Sequence, residues 1–427
     1  MATVIFGIGL LLFLALMFTA IFERTRIPDV LALIILGILL GPVTHLVSPQ
    51  DLGKMGHVMS TVALIIILFE SGAALELDVL LKALRPTLSL SMTTFGLTTL
   101  VFYLIGFFLL GLTVMMSLIL ASTLGAVSAV VVIPLVKSLK MREPAATTLV
   151  IEAALTDVLS IVLVFALVDS VTSGDIQPGK IVGSIISSLL LAGLIGLFGG
   201  VAWLLVLNSV RRFPNTAFAT VAYVCILYGI AEFMHFSGAI AALAFGLMLT
   251  NHKQMPFMQL EAFHKRELGA FTEADLAFHG ELIFLLKTFF FVYLGLSIEF
   301  TNVMMALYSI LGVVIIYAGR ALIVRFSMRE TSPGWEESSI MGVMAPKGLA
   351  SAVLAVIPLE RGLAGADVVR NFTYMVVLCS IAATAGLIPL MRHGKVARLC
   401  QWMFPTAKGK NKLDAKEEDA SIDAAPV

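Results

Sequence analysis

Charge is scarce in this sequence. Asp, Glu, Lys and Arg make up 13% of its 427 residues, where an ordinary soluble domain carries about 25%. Basic and acidic residues number 28 each, so net charge is zero, and nothing in that balance points to a nucleic-acid partner. The three cysteines, Cys225, Cys379 and Cys400, are too few and too scattered for a disulfide framework or a thiolate metal site, and read as core or lipid-facing residues. The seven histidines lie in loops or near the ends of apolar segments. That argues against an intramembrane metal site, although His235 and His252 suit a surface pH sensor. No nucleophile and base share a depth, so an enzyme is the least expected reading, and no cofactor is expected. Basic residues are missing before the first apolar stretch, TVIFGIGLLLFLALMFTAIF, while Arg24 and Arg26 follow it. A signal peptide has the reverse arrangement, so a retained first helix with its N-terminus outside is expected.

What fills the chain is hydrocarbon. Apolar residues make up 59% and the mean hydropathy is +1.00, which implies an all-α polytopic membrane protein in the lipid bilayer. Segments long enough to span fall at about 4–22, 28–46, 57–77, 86–110, 114–137, 144–171, 181–207, 216–234, 237–250, 281–298, 302–326, 339–358 and 371–391, about thirteen helices in all. An odd number of crossings separates the termini. With the N-terminus outside, 21 of the 28 basic residues fall in inside loops or the C-terminal tail, and only Lys54, Lys180, Arg361 and Arg370 fall outside. This asymmetry supports N-out, C-in, with a bacterial inner membrane as the expected location. The long loop NHKQMPFMQLEAFHKRELGAFTEADLAFHGE mixes aromatic and charged residues and suits an interfacial helix. From about Lys408 the chain turns polar and charged, so 401–427 reads as a cytoplasmic polar tail.

The sixth apolar segment holds ATTLVIEAALTDVLSIVLVFAL, with Glu152 and Asp157 in what should be hydrocarbon. A charge at the bilayer centre costs at least about 2.5–3.5 kcal/mol, so it persists facing a partner, a water-filled cavity or a transported ion. Asp157 lies about 20 Å from the cytoplasmic start of its helix, near the midplane.

Two halves of the chain repeat. GAVSAVVVIPL from Gly125 matches GLASAVLAVIPL from Gly348, and LFESGAALEL from Leu68 matches FVYLGLSIEF from Phe291, both at an offset of about 223 residues. In the second pair Gly72 falls on Gly295 and Glu76 on Glu299. The topology runs Gly125 inward and Gly348 outward, so the repeat is inverted. Inverted repeats with Gly- and Pro-interrupted segments point to a transporter whose broken helices aim dipole ends at a midplane site. The competing explanation, that Gly125, Ser128, Ala129 and Gly348 simply allow close helix packing, accounts for one such segment better than for a matched pair.

These residues resemble the monovalent cation/proton antiporter superfamily, of the sodium/proton exchanger type, over about 1–400. LFESGAALELDVL, IEAALTD, SGAIAALAFGLMLTN, FFFVYLGLSI and APKGLAS carry the resemblance. It implies two crossed, unwound helices and a homodimer. It also implies a mobile core domain (about 84–172 and 302–392), a dimerisation domain (about 1–80 and 216–300) and a linker helix at about 181–207. Asp157 would be the shared cation and proton site, Glu70 a carboxylate on the same cleft, and Glu152 and Arg320 a structural ion pair. Depth alone also sets Glu152 and Arg320 level, each a few residues from the inside end of its helix. Where sodium exchangers carry Thr-Asp-Pro the chain has Val127, Ser128 and Ala129, and Ala153 and Thr156 replace the Ser and the Asn of ESLLND. Val127 and Ala153 each lose a hydroxyl that could coordinate a cation, which leaves the cation open between Na+ and K+.

A carboxylate held away from bulk water can take a proton near neutral pH or release it to coordinate a cation. Hard cations prefer oxygen ligands, which Asp157, the hydroxyls of Thr156 and Ser128, and carbonyls freed near Ser128 could supply. No metal beyond the transported cation is expected. A neutral Thr156 before Asp157, where other branches carry a second aspartate, implies electroneutral exchange. Lys347 in the second broken helix would neutralise helix carbonyl ends, or else snorkel; Lys287 reads as structural or snorkelling. Glu76, Asp78 and Glu299 fall at helix ends as funnel or solvated residues. The sequence thus reads as a secondary transporter exchanging a monovalent cation for H+ by alternating access. A non-transporting membrane sensor or scaffold on the same fold, or a cation channel, are the alternatives.

Overall fold

The computed structural model describes residues 2–25, 28–73, 77–174, 178–210, 217–234, 236–254, 273–300, 302–327, 334–391, 398, 401, 403 and 404. Glu76, His235, the loop at 255–272 and the tail from Lys408 lie outside the described residues, as does the side chain of Asp78. Among the described residues all regular structure is helical, as the hydropathy pattern implies. The helices are α1 Ala2–Thr25, α2 Asp29–Ile38, α3 Pro49–Ala73, α4 Leu77–Leu104, α5 Val114–Thr123, α6 Ala129–Ser138, α7 Glu143–Ser173 and α8 Pro178–Val210. They continue with α9 Ala217–Phe233, α10 Gly238–Asn251, α11 Glu273–Leu296, α12 Val303–Ser327, α13 Trp335–Val343, α14 Leu349–Leu354, α15 Ile357–Glu360 and α16 Ala366–Met391.

Six of them hold stretches long and apolar enough to cross a membrane: Thr87–Leu109, Ala145–Thr172, Leu190–Leu207, Ala277–Leu296, Val303–Ser327 and Ala366–Met391. Their outer faces are apolar, as on α12, where Val303, Leu307, Ile310, Val314 and Leu322 are exposed. Several helices run past the apolar segments that mark them. α3 begins at Pro49 and α4 at Leu77, where hydropathy sets starts near 57 and 86. Hydropathy registers the stretch that meets hydrocarbon, whereas a helix continues for as long as its backbone bonds are satisfied.

Two packed groups emerge. In one, α10 lies against α8, α3 and α9, and α11 against α2 and α3. In the other, α4 packs on α5, α7 and α12, α5 on α7, and α12 on α13 and α16. The two glycines matched across the repeat each make a close helix contact in the first group. A side chain at Gly72 of α3 would run into the Leu243 carbonyl of α10, and one at Gly295 of α11 into the Ile34 carbonyl of α2. Only glycine lets those backbones approach so closely.

The matched segments at Gly125 and Gly348 fall where helices break. The chain unwinds between α5 and α6, and again between α13 and α14. The residues of both breaks are buried.

Candidate functional site

The site grows from the backbone groups those breaks set free. A helix end leaves its last carbonyls and first amides without intrahelical partners, and in a dry interior each must find another. Ser128, at the start of α6, donates its N–H to the Pro346 carbonyl at 2.8 Å, so the two unwound stretches touch directly. At Gly348 a side chain would fall on Ser128 Oγ, so the contact requires glycine there.

The carbonyls of Gly125 and Ala126, beyond the C-terminal end of α5, accept from Lys347 Nζ at 3.5 and 2.9 Å. Lys347 is 1% exposed and sets its positive charge where the helix dipole is negative. From α7, Thr156 Oγ1 accepts the Val127 N–H at 3.0 Å and lies 2.9 Å from the Glu152 carbonyl, to which it can donate. The hydroxyl expected as a cation ligand is thus tied into the backbone of the first break.

Asp157, one residue on, is buried. Its Oδ1 has no hydrogen-bond partner among the described residues, and neither has Ser128 Oγ. Both residues line a cavity of about 10 Å³, walled by Leu64, Ile67 and Leu68 of α3 and by Leu349 and Ala350 of α14. That is room for about one water-sized occupant. The cavity therefore lies between the two helix groups, with two unpaired oxygens in its wall. Glu70 is not in that wall; it is exposed on α3, three residues beyond Ile67.

Below the crossing, Arg320 of α12 grips Glu152 of α7 with both terminal nitrogens, Nη1 to Oε1 at 2.5 Å and Nη2 to Oε2 at 2.7 Å. Its Nε donates to the Met341 carbonyl at 2.8 Å, and Nη1 lies 3.4 Å from Thr94 Oγ1. Both side chains of the pair are fully buried. A bidentate pair with its remaining donors satisfied is the arrangement in which burial of two charges is tolerated.

A second ion pair was not anticipated. Lys287 Nζ of α11 meets Asp29 Oδ2 of α2 at 2.6 Å, and Asp29 also accepts the Val30 N–H at 2.9 Å. In the sequence Lys287 reads as structural or snorkelling, and Asp29 stands at the edge of the apolar segment at about 28–46 with nothing local to join the two. Glu299 is half exposed and bonds Asn371 Nδ2 at 3.0 Å beside Arg370, which suits the solvated role its helix-end position suggests. Cys225 and Cys379 are half-buried free thiols, and among the described residues no group of His, Cys, Asp and Glu is placed to hold a metal.

The model of the transmembrane sodium/hydrogen exchanger family matches residues 10–393. A K(+)/H(+) antiporter NhaP from Alkalimonas amylolytica is 22% identical over 436 aligned positions, which cover 98% of this chain and 71% of that protein. The solved sodium proton antiporter MjNhaP1 from Methanocaldococcus jannaschii superposes with a TM-score of 0.71 at 20% identity, covering 91% of this chain and 98% of that one. A second structure of the same antiporter, from an electron-microscopy map, gives 0.70 at 19% identity over 92% and 99%.

Proposed function

The chain belongs to the transmembrane sodium/hydrogen exchanger family, and from that premise we propose that it exchanges cytoplasmic Na+ or K+ for H+ at Asp157 by alternating access. It is an integral membrane protein and a transporter of monovalent cations and protons, not an enzyme.

One observation carries the assignment of the site: Asp157 Oδ1 and Ser128 Oγ are both buried without partners and face one small cavity at the crossing of the two broken helices. A buried oxygen that folding leaves unsatisfied costs about 1–3 kcal/mol. A proton on Asp157 or a cation shared with Ser128 would satisfy it. The two cannot be bound together in so small a space, so each displaces the other. Carrying the empty, charged carboxylate across a barrier is costly, and that cost couples the two fluxes.

In this reading the described helices make thirteen crossings, α5 with α6 and α13 with α14 and α15 each counting as one, and the N-terminus is outside and the C-terminus in the cytoplasm. In this reading the core domain comprises α4–α7 and α12–α16, and moves against a dimerisation domain of α1–α3 and α9–α11 in a homodimer. The cavity, walled from both sides, lies on the sliding surface. Asp157 is the one carboxylate there, with Thr156 neutral before it, so one proton is exchanged per cation and no net charge moves. The experiment is exchange by purified protein in vesicles, wild type against Asp157→Asn. An unimpaired variant would remove Asp157 from the mechanism.

A further inference from the structure

Between α13 and α14 the chain is unwound at 344–348, yet Lys347 within that stretch is held in one place. The groups that hold it come from α16. Ser380 Oγ accepts the Lys347 backbone N–H at 2.9 Å and donates to the Val377 carbonyl at 3.0 Å. Four residues on, Thr384 Oγ1 lies 3.3 Å from the carbonyl of Val343, the last residue of α13, and 3.0 Å from the Ser380 carbonyl. Residues four apart share a helix face, so one face of α16 reaches both ends of the unwound stretch.

A third hydroxyl ties the two together. Tyr317 of α12 places its phenol 2.8 Å from the Ser380 carbonyl and 2.7 Å from Thr384 Oγ1. All three side chains are buried, so each bond is made in a medium where an unpaired group is expensive. Tyr317 lies three residues before Arg320, whose Nε holds the Met341 carbonyl. α12 and α16 therefore grip α13 and the break that follows it from two sides.

We propose that Ser380, held by Tyr317 and Thr384, is a positioning residue for exchange: it aims Lys347 at the Gly125 and Ala126 carbonyls and so keeps the ammonium from Asp157. This rests on Asp157 being the cation site. Lys347 Nζ is held on the Ala126 carbonyl, and the next residue, Val127, bonds the hydroxyl of Thr156, the neighbour of Asp157. Freed from the two carbonyls, the ammonium would seek another buried acceptor, and the unpartnered Asp157 Oδ1 would draw it into competition with the transported cation.

The test is cation-driven proton movement in vesicles, at varied cation concentration, for wild type, Ser380→Ala, Ser380→Thr, Tyr317→Phe and Asp157→Asn. Ser380→Ala should raise the half-saturating cation concentration at least fivefold while the maximal rate stays within twofold. Ser380→Thr, which keeps the hydroxyl, should restore the wild-type value to within twofold. Tyr317→Phe should shift it in the same direction by a smaller factor, and stands in should Ser380→Ala fail to fold. An unchanged half-saturating concentration in folded protein would overturn the proposal. So would a fall in maximal rate that tracks lost thermal stability without a shift in half-saturation. If Asp157→Asn still exchanges, the site assignment itself is lost; if it is silent while the Ser380 variants match wild type, only the positioning role is lost.

Discussion

Ser128 and Pro346 join the two broken helices through a single backbone bond, the Ser128 N–H to the Pro346 carbonyl at 2.8 Å. Each break supplies the partner that the other needs, so neither can shift along its axis alone. Lys347 is bonded across the same crossing to Ala126, so a backbone bond and a side-chain bond both tie the two unwound stretches together.

That contact predicts a steric rescue. Gly348→Ala would place a methyl group on Ser128 Oγ, and overpacking of this kind typically costs about 1–3 kcal/mol. Thermal melts in detergent should show the loss. Adding Ser128→Gly should recover most of it while leaving cation affinity impaired, because Ser128 Oγ is then gone.

Glu152→Gln leaves Arg320 buried without its anion, and should lower stability by about 3–5 kcal/mol. Replacing both partners by apolar residues of similar size, Glu152→Leu with Arg320→Met, should be milder than either single change. A double variant worse than the two singles combined would contradict a mainly structural role for the pair.

Lys287 and Asp29 pair in the same way across α11 and α2, at 2.6 Å and with side chains only 12% and 7% exposed. Lys287→Met should destabilise, and Asp29→Asn in the same chain should restore part of the loss, with a coupling of about 1–3 kcal/mol. Glu299 is the contrasting case: its side chain is 51% exposed beside Arg370. Glu299→Gln should shift stability by less than about 1 kcal/mol, and less again in high salt.

The breaks at Gly125 and Gly348 were legible in the sequence because a helix that unwinds inside a membrane requires small residues and prolines, and these recur at one offset. The levels of Glu152 and Arg320 were legible because helix rise converts residue number into depth. The partner of Thr156 was not: its hydroxyl bonds the Val127 amide, and nothing local to either residue announces a contact made by folding α7 against the first break. Ser380, Thr384 and Tyr317 were missed for a related reason. Hydroxyls in apolar helices are common, and what distinguishes these three is the backbone they reach. Asp29 stands at the edge of an apolar segment 258 residues from Lys287, and only the fold brings the two together.

The central claim is that one carboxylate, Asp157, serves proton and cation in turn. The direct test is a vesicle with a pH-sensitive dye inside, an imposed proton gradient, and Na+, K+, Li+ or Rb+ added outside. Wild-type protein should give a saturable dequenching with Na+ or K+ that is unchanged when the voltage is clamped at zero, and folded Asp157→Asn should give none. Exchange by Asp157→Asn at the wild-type rate would contradict the account.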